Sequence, residues 1–392
     1  MNTGFTSLPT VLGSCIISEW IELKDIVSLD YACYNHSIRS AYLSYCNVTL
    51  LAETIELRSI NHIEWFINRE IKFLIMSTSL LQFQRGIYNA LNELLVKIGG
   101  DIEEIHICPH ISLTSAQIVR INNIIAHNCP NIHELSVSGN TTKDKDISAL
   151  LTLQHLKELK FTQCNITNKS LFSIVDKCAT LTSLKLLDID ICDAGLTALA
   201  GKCPELEELQ VVDYKNSSVK GVLALIKTTP NLNDLTVNVS DLTIDDFTTI
   251  AQHCPKLHSF ETDARFISDA AIETLFIRCT QLRIVNLLNC ISFTIGFSLF
   301  HNLEELRLHN CPTLTDEMVA TIVQNNPSIW FCVLYDCPQL TSKSVMSILH
   351  GCPDLDSFTI TNTRASAFDF SGTAPTSEMS SLMSTLILEH YP

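Results

Sequence analysis

Residues 128–137 read NCPNIHELSV, and the same arrangement returns nine times further along the chain. The later copies are LQHLKELKF (153–161), KCATLTSLKL (177–186), KCPELEELQV (202–211), TTPNLNDLTV (228–237), HCPKLHSFET (253–262), RCTQLRIVNL (278–287), LFHNLEELRL (299–308), NNPSIWFCVL (325–334) and GCPDLDSFTI (351–360). Their first apolar anchors are Ile132, Leu156, Leu181, Leu206, Leu232, Leu257, Leu282, Leu303, Ile329 and Leu355, separated by 24, 25, 25, 26, 25, 25, 21, 26 and 26 residues. Ten units in near-constant register are an internal repeat, the first thing to settle in any sequence.

Each unit closes on a short alternating stretch, the period of a half-buried strand. Thr or Ser followed by Asp comes next, as in Leu314-Thr315-Asp316 and Ile267-Ser268-Asp269. These residues start helices, because a side-chain oxygen accepts from the free N–H groups of the first turn. Apolar residues then recur at helical spacing, for example Ala271, Ile272, Leu275 and Phe276, and Pro follows where the helix has stopped. One strand and one helix every 25 residues or so cannot bury an apolar face alone; stacked neighbours can. The pattern predicts an α/β leucine-rich-repeat solenoid, a horseshoe with a parallel concave sheet and convex helices. The short unit between Leu282 and Leu303, with its helical side reduced to Phe293–Phe300, predicts a local kink in the curvature.

Weaker units precede the clear array. Ile102 to Ile107 fits a strand slot, with a helix before it over Ile87–Ile98 and a capping strand within Ile71–Met76. After Ile360 the pattern fades into a Ser/Thr-rich stretch holding Phe368 and Phe370, and Glu378–Leu388 suits a closing helix. The expected organisation is a helical segment over 1–60, the solenoid over 61–362 and a cap or tail over 363–392.

Composition narrows the function. The 392 residues carry 42 acidic and 26 basic side chains, a net charge of −16. Phosphate backbones need clustered Lys and Arg, so nucleic acid is not an expected partner. No run of 18 apolar residues occurs, so no membrane-spanning helix is expected. The N-terminus has no basic residue before Lys24, which argues against a secretory signal. The expectation is an intracellular protein, cytoplasmic or nuclear, with reduced thiols and glycosylation sequons that go unused.

The 16 cysteines then need another explanation than a disulfide framework. One set ends the helices: Cys129, Cys178, Cys203, Cys254, Cys279 and Cys352. Another follows the strands: Cys164, Cys290, Cys311 and Cys337. Equivalent positions stack along a solenoid, so small buried thiols filling tight turns are expected. A disulfide between Cys290 and Cys311 and a metal held by His106, Cys108 and His110 are the sharper alternatives.

The cysteine-containing repeat resembles that of F-box proteins and of the yeast antagonist-of-mitotic-exit family over about residues 100–362. The N-terminal stretch also resembles an F-box: Leu8-Pro9, a helix with Val11, Leu12, Ile16, Ile17 and Trp20, then Leu23-Lys24-Asp25-Ile26 opening a second helix. The acidic residue usual after the Leu-Pro pair is absent, and Tyr34-Asn35-His36 stands where a tryptophan is usual. The resemblance implies docking on the Skp adaptor of a cullin–RING ubiquitin ligase through Leu8, Pro9, Leu12, Ile16, Ile26 and Leu29. The alternative is a helical cap on the first repeat.

No phosphate-binding Gly-rich loop, nucleophile elbow or zinc-protease motif occurs, so no enzyme activity and no cofactor are expected. Binding falls instead to the concave strand positions. The middle units offer Glu208, Gln210, Val212, Asp234, Thr236, Asn238, Ser259, Glu261 and Asp263. The late units are more apolar and aromatic. Leu288, Arg307, His309, Phe331, Val333 and Tyr335 form the expected contact set for a protein substrate, since aromatics beside Arg are the composition of an interface centre. A C-terminal tail folded over them with Phe368 and Phe370 is the competing expectation. Two functions follow: a substrate-recognition adaptor of a ubiquitin ligase, or a regulator that sequesters a protein partner.

Overall fold

The computed structural model describes residues 54–56, 60–69, 74–78, 86–109, 112–212, 219–238, 242–263, 265, 268–291 and 300–361. The predicted adaptor contacts Leu8, Pro9, Leu12, Ile16, Ile26 and Leu29 lie outside the described residues. So do His110, the shortened helical side from Phe293 to Leu299, Phe368, Phe370 and the stretch Glu378–Leu388. The chain divides into two compact units, Met1–Ile191 and Cys192–Pro392.

In the first unit strands and helices alternate: β1 Thr54–Glu56, α1 Ile60–Arg69, β2 Ile75–Ser77, α2 Ile87–Ile98, β3 Glu104–Ile107, α3 Ser115–Asn128, β4 Glu134–Ser138, α4 Asp144–Ile147, β5 Glu158–Thr162, α5 Asn168–Ile174 and β6 Ser183–Leu187. Each strand pairs in parallel with the next. The second unit runs α6 Asp193–Leu199, β7 Glu208–Val212, α7 Val219–Ile226, β8 Asp234–Asn238, α8 Ile244–His253, β9 Ser259–Asp263, α9 Asp269–Arg278, β10 Ile284–Leu288, β11 Glu305–His309, α10 Asp316–Asn325, β12 Phe331–Tyr335, α11 Ser342–Gly351 and β13 Ser357–Thr361. Its strands also pair in parallel, in chain order. This is the leucine-rich-repeat solenoid that the repeat predicts.

The 21–26-residue period fixes which side chains meet. Register places Leu135 beside Leu159 and Leu159 beside Leu184, and likewise Phe260 beside Val285 and Val285 beside Leu306. All six are buried under the helices. At roughly 1.5–3 kcal/mol for each fully buried aliphatic or aromatic side chain, this inner face dominates the favourable side of folding. One inner position is polar. Thr262 is fully buried, and its hydroxyl donates to the Val237 carbonyl at 2.7 Å, which removes the penalty of an unpaired group.

Helix starts carry a second device that links one repeat to the next. Thr315 caps α10 and its Oγ1 accepts from the Met318 N–H. The following residue, Asp316, accepts from the Thr341 N–H at 2.9 Å, the Thr341 hydroxyl at 2.6 Å and the Ser344 hydroxyl, all one repeat later. Burial raises the Asp316 carboxyl, but the bonds from Ser344 and Thr341 outweigh it and hold the group below its ordinary value. In the first unit Asp144 repeats the arrangement with Thr167 and Ser170. Asp193 receives the Gly221 N–H at 3.1 Å. A Cβ on Gly221 would stand 2.7 Å from the Asp193 Cα, so this close approach needs glycine. Ser268 has the extended backbone of a cap, yet its hydroxyl makes no bond.

The cysteines are free thiols, and eleven of the thirteen described are buried. Cys129, Cys254, Cys279 and Cys352 cap helix ends as expected. Cys178 departs from that role: α5 stops four residues earlier, and Cys178 opens a 3₁₀ turn to Thr180. Cys203 lies beyond the turn that follows α6, for the same reason of early helix termination. Burial pushes the Cys129 and Cys254 thiols up to about 12, so they are packing groups rather than nucleophiles. Cys290 and Cys311 are not bonded to each other. Instead the Cys311 thiol donates to the His309 carbonyl at 3.5 Å. Asn326 takes the cysteine slot after α10. It donates to the carbonyls of Phe300 and Ile322 at 2.9 and 2.6 Å and accepts from the Leu303 N–H at 2.8 Å.

Candidate functional site

Strands β10, β11 and β12 stand in register, Asn286 against Arg307 against Val333 and Leu288 against His309 against Tyr335. Alternation turns Val285, Leu287, Leu306, Leu308, Cys332 and Leu334 inward. The intervening side chains therefore share the open face of the sheet, which brings all six sequence-predicted contact residues together. Leu288, Arg307, His309, Phe331 and Val333 are half-buried there, and Tyr335 is 43% exposed.

The side chains pair across the strands. The Arg307 guanidinium carbon lies 4.5 Å from the centroid of the Phe331 ring, and Nη2 donates to Glu305 Oε2 at 2.8 Å. Stacking of this kind contributes about 0.5–1 kcal/mol at an exposed site, and a partly exposed ion pair about as much or less. Their main effect is geometric: the guanidinium is held over the ring. His309 stacks obliquely on Tyr335, ring centroids 5.6 Å apart at 33°. Burial lowers the His309 imidazole below its ordinary value; Glu261 opposes that shift and Arg307 adds to it. His309 is therefore neutral at pH 7, an apolar ring with one donor and one acceptor.

Sequence reasoning missed Trp330. It packs edge-on against Phe331 at 5.8 Å and is 38% exposed, so it extends the aromatic patch. It precedes β12 by one residue, so strand alternation gave no orientation for it. The acidic flank is also more structured than a row of solvated charges. Asn286 donates to Glu261 at 2.8 Å, Asn289 donates to Asp263 at 3.0 Å, and Asn310 donates to Asn289 at 2.7 Å. Asn289 and Asn310 have φ of 59° and 52°, left-handed turn positions that asparagine tolerates. The Asn286 carbonyl oxygen is buried beside this network with no donor. Thr236, expected on the open face, is instead 6% exposed, a short side chain between Gln210 and Glu261 on the flanking strands.

The first unit's open face is different. Glu104, Glu134 and Glu158 are adjacent in register. Burial first, and then the neighbouring carboxylates of Glu104 and Glu158, push Glu134 up to about 7. His106 Nε2 lies 2.7 Å from Glu104 Oε1. Among the described residues no group of three or more His, Cys, Asp or Glu side chains is arranged to hold a metal ion. Among them, too, no helix is long and apolar enough to cross a membrane.

No family model matches the chain. Solved structures do share its fold. The crystal structure of the Rad7 and Elc1 complex in yeast matches with a TM-score of 0.62 at 15% identity, covering 98% of this chain and 90% of that one. An internalin (inlF) from Listeria monocytogenes matches with a TM-score of 0.43 at 13% identity, covering 79% of this chain and 88% of that one.

Proposed function

We propose that the chain is a protein-recognition adaptor of a cullin–RING ubiquitin ligase. The open face of β10–β12 holds the substrate protein, and residues 8–29 dock the Skp-type adaptor. The observation that carries the recognition half is the surface cluster of Trp330, Phe331, Arg307, His309 and Tyr335, pre-positioned by ring stacking and by the Glu305 pair. Rigid aromatic and guanidinium groups gain binding energy at low conformational cost. The ligase half is supported by the F-box-like stretch and by the shared fold with a chain solved in complex with Elc1. In this reading the chain performs no chemistry. It raises the effective concentration of a substrate lysine near a transfer site on other subunits.

The test is a pull-down of the full chain with the Skp adaptor and, separately, with Elc1. Retention of either, lost when Leu12 and Ile16 are replaced by Asp, is the expected result. Retention of neither leaves the second reading, a regulator that sequesters its partner without ubiquitin transfer. The departure at Tyr34-Asn35-His36 from the F-box pattern favours that alternative.

A further inference from the structure

The stretch Lys143-Asp144-Lys145-Asp146 is neutral as sequence, but the fold separates its charges. Both carboxylates turn inward. Asp144 accepts from the Thr167 N–H, the Thr167 hydroxyl and the Ser170 hydroxyl at 2.9, 2.8 and 2.6 Å. Asp146, fully buried, accepts from the Lys143 N–H at 2.9 Å and from the Ser115 hydroxyl. Lys143 and Lys145 remain exposed, and the next repeat adds Lys169. These three lysines line one cleft of about 510 Å³ together with Leu151, Ser148, Ser173 and the hydrogen-bonded pair Asp144 and Ser170, so three cations face one carboxylate there. None of the three ammonium groups is ion-paired with a described residue. The Ser148 and Ser173 hydroxyls donate to carbonyls of their own turns, at 3.1 and 2.6 Å, and are exposed at the rim.

We propose that this cleft binds a phosphate group carried by a phosphorylated Ser or Thr of a protein partner. A phosphomonoester brings a charge of about −1.5 to −2 and three acceptor oxygens, which three ammonium groups match. Nucleic acid does not fit, because no aromatic side chain lines the cleft to stack a base. The cleft volume suits a side chain with its flanking residues. The choice of a peptide as carrier rests on the protein-recognition reading above.

The test uses the full chain on an immobilised degenerate peptide library with a fixed central phosphoserine, beside the same library unphosphorylated. Expected is a preference of at least about fivefold for the phosphorylated library, lost in the Lys143→Gln, Lys145→Gln, Lys169→Gln triple variant. The preference persists in an Arg307→Ala, Tyr335→Ala variant, which separates this cleft from the β10–β12 face. All three lysines are exposed, so the triple variant melts within about 2 °C of the wild type. Equal retention on both libraries, or a preference that survives the triple variant, overturns the proposal. So does a preference abolished by the Arg307/Tyr335 variant alone. Binding to phosphatidylcholine vesicles containing phosphatidylserine, sensitive to the triple variant and unaccompanied by any library preference, assigns the lysines to a lipid headgroup and overturns the peptide carrier.

Discussion

On β4 and β5 the open face carries Glu134, Ser136, Glu158 and Lys160; on β11 and β12 it carries Arg307, His309, Phe331 and Tyr335. Beneath both, the inner positions are interchangeable: Leu135, Val137, Leu159 and Phe161 in one place, Leu306, Leu308, Cys332 and Leu334 in the other. The repeat constrains the inner face because every unit must stack on the next, and it leaves the outer face free. Identity of purpose is therefore to be read from the outer face and stability from the inner one. In the first region like charges crowd together, and Glu134 is driven toward protonation. In the second, Arg307 is paired with Glu305, and Trp330 and Tyr335 are exposed.

If the inner faces are equivalent, equivalent truncations cost the same in both units. Phe161→Ala and Phe260→Ala are each expected to destabilise by about 3–5 kcal/mol, since both rings are fully buried. Chemical denaturation of each variant reads this directly, and a cost below about 1 kcal/mol in either unit breaks the equivalence.

Next come the aspartate links between repeats. Asp144→Asn and Asp316→Asn each lose charge-assisted bonds and are expected to cost about 1–2 kcal/mol at pH 7. The Asp316 carboxyl lies below its ordinary value when folded, so its ionisation contributes stability above the unfolded pKa. That contribution disappears as pH falls through the folded value. The Asp316→Asn deficit should thus shrink on acidification, which melting curves between pH 7 and pH 3 would follow.

The smallest effect is expected at Glu134, where the sign reverses. Its folded value, about 7, lies above the unfolded one, so ionising the folded protein costs stability as pH rises from the ordinary carboxylate range through about 7. Glu134→Gln is expected to stabilise above pH 7 by less than about 1 kcal/mol, solvent screening being strong at a half-exposed site, and to change nothing at pH 4. A variant less stable than wild type at pH 8 would mean the carboxylate ladder is not the strained feature that distinguishes the first face.

Much of this was legible in the residues. The anchors from Ile132 to Leu355 fixed strand register and helix placement, and Ile87–Ile98 is the helix the pattern predicts. The six late-face residues share one surface because strand alternation is a rigid rule. What escaped notice depends on contacts between repeats. Trp330 lies just outside its strand, where alternation does not apply. Thr236 is short, and its burial is set by its neighbours' lengths. The inward turn of Asp144 and Asp146 depends on hydroxyls 23 to 31 residues away. No local pattern in Lys143-Asp144-Lys145-Asp146 distinguishes an exposed lysine pair from a neutralised one.

The contrast between the two faces is tested most directly by parallel affinity purification of three full-length forms from cells: wild type, Arg307→Ala with Tyr335→Ala, and Glu158→Gln with Lys160→Ala. Quantitative mass spectrometry compares what each retains. The expected result is a set of proteins depleted at least about tenfold by the Arg307/Tyr335 changes and retained by the Glu158/Lys160 form. Equal retention by all three, or depletion only in the Glu158/Lys160 form, would contradict recognition by β10–β12.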